Sequence, residues 1–391
     1  MHQEPSGVWI MAYTTIDDPS AHFQTALWSG DDATTQDITN DGNSDLQPDW
    51  VWVKCRNTNG NGFDHTVWDT SRGVSDSVNT SLSPSQNDVE GLGDNVTTTA
   101  QLGGVSAMLS DGFTVREGSI DDDSRYVNEN TRTYVGWQWK ANGGSRTTFA
   151  EDGNNPAGGY QANTTAGFSI IDYTGTGGAG GTVAHGLGVA PEVLIAKSRS
   201  ASGKSWAAWH KVILNTHYLT LQTTNYKTDD DGFLNDTSPT SSVITLGDWG
   251  DINGDSETHI MYAFASIQGY SKFGSYEGNG AAGGPFVYTG FKPAWTMIKS
   301  VDNNTYNWIM QDTKRFGGVN SGATDKNLAA NSDSEEPSSA SFSGNEIDYL
   351  SNGFKLRSTA GNTNASGDTY IYMAFAESPF VTSGGVPCTA R

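Results

Sequence analysis

Three times along this 391-residue chain the same landmarks return in the same order, so the chain must fold as copies of one unit. Each copy opens with an aromatic-x-Gly: Trp28-Ser-Gly30, Tyr173-Thr-Gly175 and Tyr276-Glu-Gly278. A proline then leads an apolar run that ends in lysine, from Pro48 to Lys54, Pro191 to Lys197 and Pro293 to Lys299. A tryptophan follows (Trp68, Trp209, Trp308), and an aromatic segment closes each copy at Tyr134–Trp139, Ile260–Ala265 and Tyr370–Ala376. The first and third copies share two further marks. One is Asp-Thr-x-Arg, ending at Arg72 and Arg315; the other is Gly-Phe-x-x-Arg, ending at Arg116 and Arg357.

Short runs rich in β-branched and aromatic residues, bounded by Gly, Asn, Asp and Ser, read as strands, and long helical periods are absent. The expected fold is all-β, with three tandem antiparallel β-sandwich modules of the jelly-roll or lectin-like kind. Each spans about 100–120 residues, enough for one sandwich. The expected organisation is an arm at 1–21, modules at 22–144, 167–267 and 268–381, a Gly/Ala/Asn-rich linker at 145–166 and a tail at 382–391. The recurring aromatics read first as core. Trp249, on a loop, is one of the few candidates for a sugar platform.

Composition removes several functions. With 44 acidic against 22 basic residues the net charge is −22, and no basic stripe is visible, which argues against a nucleic-acid partner. No window approaches the roughly 18 apolar residues of a membrane span, and no leader pattern opens the chain, so synthesis in a cytoplasm and no membrane insertion are expected. Cys55 and Cys388 make no disulfide framework. The sequons at Asn79, Asn95, Asn163, Asn235, Asn303 and Asn364 read as chance in an Asn- and Thr-rich chain.

Catalysis finds little support. Glu346-Ile-Asp348 is similar to a carboxylate strand of sugar hydrolases, but the second acid that such chemistry needs is missing. No nucleophile elbow, zinc-binding His pair or phosphate loop occurs. Calcium is the more plausible ligand. Asp41, Asn43 and Asp45, and Asp251, Asn253 and Asp255 followed by Glu257, place oxygens at alternate positions of a turn, as a hard cation requires. The same residues also simply make good turns. His185 reads as structural, and His210 and His217 have no ligand spacing. The matched arginines suggest a shared structural pairing with a carboxylate rather than one active site.

The landmarks resemble a family of uncharacterised, tail-fibre-like proteins of marine and cyanobacterial tailed phages. The matching stretches are Met11–Ser20, Gly167–Ile171, His185–Pro191, Lys197–Arg199, Gln268–Tyr276 and Tyr370–Glu377. Residues Met1–Ile10 depart from the family's usual start. The resemblance implies a non-enzymatic virion surface protein with lectin-like (laminin-G or concanavalin-type) sandwiches and no catalytic residues. Its implied partners are other virion proteins of tail or capsid and a host surface glycan or protein. A tail fibre or receptor-binding role ranks first, capsid decoration second and a glycan depolymerase third. Three copies in one chain could mimic a threefold arrangement, and homotrimerisation stays equally open.

Overall fold

A computed structural model describes residues 12–58, 62–75, 80–91, 103–118, 123–316, 326–336 and 344–388. The first repeat contains β1 (Phe23–Ser29), β2 (Thr35–Thr39), β3 (Trp50–Cys55), β4 (Thr66–Asp69), β5 (Gly104–Leu109), β6 (Gly112–Arg116) and β7 (Thr133–Trp139). The second contains β8 (Thr147–Phe149), β9 (Ala157–Asn163), β10 (Phe168–Thr174), β11 (Thr182–Ala184), β12 (Val193–Ser198), β13 (Ala207–His210), β14 (His217–Thr220), β15 (Thr228–Asp229), β16 (Val243–Thr245) and β17 (Thr258–Phe264). The third contains β18 (Ser271–Glu277), β19 (Phe286–Tyr288), β20 (Phe291–Ser300), β21 (Ile309–Asp312), β22 (Leu328–Ala329), β23 (Ile347–Leu350), β24 (Gly353–Leu356) and β25 (Thr369–Pro379).

The chain is all-β, in several antiparallel sheets. One strand order recurs in the three large sheets: β1-β7-β3-β4, then β10-β17-β12-β13, then β18-β25-β20-β21. A smaller sheet accompanies each, β2-β6-β5, β11-β16 and β19-β24-β23. The aromatic-closing segment of each copy is the strand beside the first, and the Pro-to-Lys run is the strand beyond it.

The aromatic-x-Gly motif is explained by one device built three times. Trp28, Tyr173 and Tyr276 stack on Tyr134, His259 and Tyr370 at 5.3, 5.2 and 5.2 Å between ring centres. Their polar tips donate to the carbonyls of Val127, Ile252 and Thr363 at 2.8, 2.6 and 2.7 Å. The next residue in each case is a fully buried asparagine, Asn128, Asn253 or Asn364. Its side-chain oxygen accepts the N–H of Asp31, Thr176 or Asn279, just past the motif glycine. That glycine must be glycine because of crowding. A Cβ on Gly30, Gly175 or Gly278 would lie 2.2, 2.3 or 2.1 Å from a backbone oxygen of the asparagine loop. Gly278→Ala should therefore destabilise the protein by about 3 kcal/mol, read as a lower denaturant midpoint. An unchanged midpoint would mean that the loop yields freely.

The large sheets are buried on both faces. In β25, Ile371, Met373 and Phe375 enter one core while Tyr370, Tyr372 and Ala374 enter another, against the small sheet of that repeat. In β7, Trp137 and Trp139 face the first core and Tyr134 faces the small sheet β2-β6-β5. This is why β3 and β12 read as continuous apolar runs rather than alternating ones. The core on the inner faces is common to all three repeats. Trp139, Phe264 and Phe375 hold the same place in their sheets, each opposite the first core residue of the Pro-to-Lys strand. Ring contacts link every pair of repeats: Trp139 to Phe375 at 5.7 Å, Phe264 to Phe375 at 6.0 Å, and Trp50 to Phe264 at 6.0 Å. The inner faces therefore close on one another instead of standing in a row.

Residues 145–166, expected to be a linker, contain two strands of the second sheet. β9 pairs with all seven residues of β10, and β8 adds outside it. Their Gly, Ala and Asn content gave no apolar period to read, yet Gln161 is buried and donates to Thr70 and Ser71 of the first repeat at 2.7 Å. Of the expected arm, Met1–Ile10 lie outside the described residues. Tyr13 donates to the Gly290 carbonyl, Ile16 enters the shared core, and Asp17 accepts from Ser383 of the tail. Among the described residues no helix is long and apolar enough to cross a membrane.

Candidate functional site

The polar chemistry of the chain concentrates at the three seams between repeats, where contacts recur in cyclic order. Just after each Pro-to-Lys strand, a carbonyl accepts a neighbour's N–H. Arg56 accepts from Glu336 at 2.7 Å, Arg199 from Glu90 at 2.9 Å, and Val301 from Lys227 at 3.1 Å. These link the first repeat to the third, the second to the first, and the third to the second. Each seam adds an ion pair beside that bond: Arg56–Glu336, Arg199–Glu90 and Lys227–Asp302.

The lysines that end these strands are wholly buried. Lys54 donates to the carbonyls of Phe63, Cys55 and, across the seam, Asp333, at 2.6, 3.0 and 2.9 Å. Lys299 donates to Tyr306, Asn303 and, across its seam, Thr224, at 2.9, 3.3 and 2.9 Å. Three acceptors match the three protons of an ammonium, so these lysines act as fasteners. Lys197 differs, with the Ser198 carbonyl at 2.8 Å and the charges of Asp251, Asp88 and Glu257 around it. Burial pushes Lys54 and Lys197 down to about 8 and Lys299 to about 7. The motif was visible in the sequence, but the role of its lysine was not. The signal was a charged residue ending an apolar run at one place in three copies.

The arginine pairing follows the repeat too. Arg72 and Arg315 each bind the aspartate three residues earlier, Asp69 and Asp312, at 2.5 Å, with all four side chains buried. Each aspartate also accepts from a neighbouring repeat: Asp69 from the Tyr262 hydroxyl at 2.7 Å, Asp312 from the Trp137 indole at 3.0 Å. Tyr262 and Trp137 occupy equivalent positions in β17 and β7. At the third seam those places are held by Met373 and His210, which line a void of about 10 Å³. Arg357 binds Asp348 across β23 and β24 at 2.5 Å, nearer the surface. Arg116 donates to the Glu117 carbonyl at 3.2 Å.

In both expected calcium loops part of the oxygen set is already engaged within the chain. Asn253 is the buried asparagine of the second repeat, its amide spent on Thr176, Gly178 and Gly247. Asp251 accepts the Ser205 N–H at 2.7 Å and lies 4.0 Å from Lys204, which is 3.5 Å from Glu257. Asp255 is exposed. In the other loop Asp41 binds Lys314 at 2.5 Å, and Asn43 and Asp45 are exposed. Among the described residues no three His, Cys, Asp or Glu side chains gather as metal ligands would. Millimolar Ca²⁺ or a chelator should leave the melting temperature within about one degree; a clear rise with Ca²⁺ would restore a bound ion, since a ligand of the native state must stabilise it.

The remaining candidates are placed as follows. Ile347, between Glu346 and Asp348, is core. His185 Nδ1 accepts the Leu187 N–H and Nε2 meets the Thr240 carbonyl, both at 3.2 Å. His210 Nδ1 accepts from Val212 at 3.2 Å, and His217 Nδ1 meets Thr216 Oγ1 at 2.8 Å. Trp249 is half-buried, with Tyr218 against it at 4.4 Å. Among the sequons, Asn364 is buried and fully bonded, while Asn79 and Asn95 lie outside the described residues.

Sequence reasoning also missed a cleft of about 380 Å³ between the first and third repeats, lined by Thr25, Asn43, Lys292 and Lys314 among others. No curated protein and no solved structure matches the chain. One family model does, over residues 18–379, from the aspartate that caps the first short turn to the last residue of β25, so that a single model spans all three repeats. The chain belongs to that family, described as a domain of unknown function (DUF7483).

Proposed function

We propose that the chain is a non-enzymatic surface protein of a tailed-phage particle, made in the host cytoplasm and assembled onto the virion. In this reading three lectin-like sandwiches form a tail fibre or spike component whose loops contact a host glycan or protein. The observation that carries it is the shared core. Three repeats locked through one aromatic interior make a stiff body that holds its outer loops at fixed angles. The buried ionisable groups support it as well, because Lys54, Lys299, Arg72 and Arg315 are spent on seams and turns. The −22 charge disfavours a nucleic-acid partner.

The cyclic order of the seams favours a second reading, a decoration protein seated on a threefold or sixfold axis of the head. A single chain that already supplies three matched copies needs no homotrimer to fit such a place. Gold labelling of intact particles with an antibody to this chain separates the two. Gold at the tail tip is expected. Gold over the head would mean decoration, and particles that carry none of the chain would overturn both readings.

A further inference from the structure

The repeats serve as controls for one another: β1 and β18 are sheet edges, whereas their counterpart in the second repeat is covered. In the second repeat β10 is covered along its length by β9. In the first repeat the equivalent strand, β1, is an edge, with no described strand on its outer side. Two inward-facing residues on β1 also break the pattern. Thr25 stands where Ile170 and Phe273 are core residues; it is only 6% exposed, and its hydroxyl has no partner among the described residues. Leu27 is 41% exposed, where the other repeats carry Asp172 and Ser275. Asp172 is held by Arg146, from the segment that leads into the covering strands. Beside Thr25 opens the cleft of about 380 Å³, with Phe23, Ala294 and Ala376 in its lining and Lys292 and Lys314 paired to Glu377 and Asp41.

We propose that the outer edge of β1 takes up an extended segment of a partner polypeptide as an additional strand. Such a strand would satisfy the open backbone groups of the edge, give the Thr25 hydroxyl a partner and cover Leu27. The occupant's chemistry is read from the strand that fills this place in the second repeat. Ala157–Asn163 is uncharged, with Ala or Gly at four of its seven positions, and a Cβ on Gly158 would lie 2.2 Å from the Asp172 carbonyl oxygen. A second copy of the chain is a poor donor, since its own β9 is already paired on both sides. The equivalent edge of the third repeat offers less. There the Phe273 N–H is taken by Ser266, and the exposed inward residues, Ser275 and Glu277, are polar. The inference concerns how the body is fixed to a neighbour and stands apart from what its loops recognise.

The probe is a synthetic peptide with the sequence of residues 155–165, added at millimolar concentration to the intact protein. Amide exchange across Phe23–Ser29 should slow at least tenfold with saturable binding. Leu27→Lys, a charge on an exposed edge, should weaken binding at least tenfold without lowering the melting temperature. Unchanged exchange in β1 at the highest soluble peptide concentration overturns the proposal, as does equal binding by Leu27→Lys. So does an edge already protected in the free protein that loses its protection when residues 1–11 are deleted, because the chain's own terminus would then be the occupant.

Discussion

Raising the pH from about 4 to about 9 should stabilise this protein by several kcal/mol, although its acidic surface charges further over that range. Five of the seven histidines have pKa values lowered by burial: His22, His65, His185, His210 and His259. His210 falls to about 3 and His259 to about 4. Between those values and about 6.5 the unfolded chain binds protons that the folded chain refuses, so stability is complete above about 6.5 and is lost as pH falls. His259 alone contributes about 3 kcal/mol at about 1.4 kcal/mol per pH unit. The seam lysines extend the trend. Their folded values, about 7 to 8, lie below the ordinary value of about 10.4, so stability keeps rising as the folded chain sheds these protons first. Above about pH 10 the slope reverses, because buried tyrosines such as Tyr173 and Tyr349 stay protonated while unfolded ones ionise. Asp49 and Asp88, raised by burial, oppose the trend only in the acid range. Self-repulsion of the −22 charge predicts the contrary, a steady loss above the isoelectric point near 4.5. Urea midpoints at pH 4.5, 6.5, 8 and 9.5 decide between the two. A midpoint that falls throughout would show that surface repulsion dominates.

Arg72→Met and Arg315→Met should each cost about 3–5 kcal/mol, because each leaves a buried aspartate without its counter-charge. Arg315→Met should be the worse of the two. Glu336, 3.7 Å from the guanidinium and almost wholly buried, loses a partner as well. Arg357→Met is the contrast. Its side chain is 46% exposed, and the pair it forms with Asp348 should be worth under about 1 kcal/mol. All three variants should unfold in one transition, with tryptophan fluorescence and circular dichroism coincident, since Trp50, Trp137 and Trp295 share one core. Equal costs for Arg72→Met and Arg357→Met would show that burial is not what makes the first pair matter.

The strands and their triplication were open to reading because the aromatic-x-Gly, the Pro-to-Lys run and the closing strand each obey a local rule. The meeting of the inner faces was not. A strand buried on both sides looks the same whether its second face meets its own small sheet or another repeat, so Trp137 and Trp50 gave no hint that they face neighbours. Segment 145–166 misled because its strands are held by backbone pairing and by Gln161, with no apolar alternation. The Asp251–Asp255 loop was ambiguous for a different reason. Asp, Asn and Gly in a turn serve backbone N–H groups and cations equally well, and only three-dimensional structure shows Asn253 facing the amide of Thr176.

A closed cycle of seams has no free end. Solenoid proteins lengthen by adding units, since each new unit meets the last as the last met its predecessor. Here a fourth unit would have to break the link that joins Val301 to Lys227 or one of its two counterparts, and a lost unit would strip two neighbours at once. Duplication and deletion, the ordinary currency of repeat evolution, are closed to this architecture. Its diversity can arise only in the loops, with the copy number held at three.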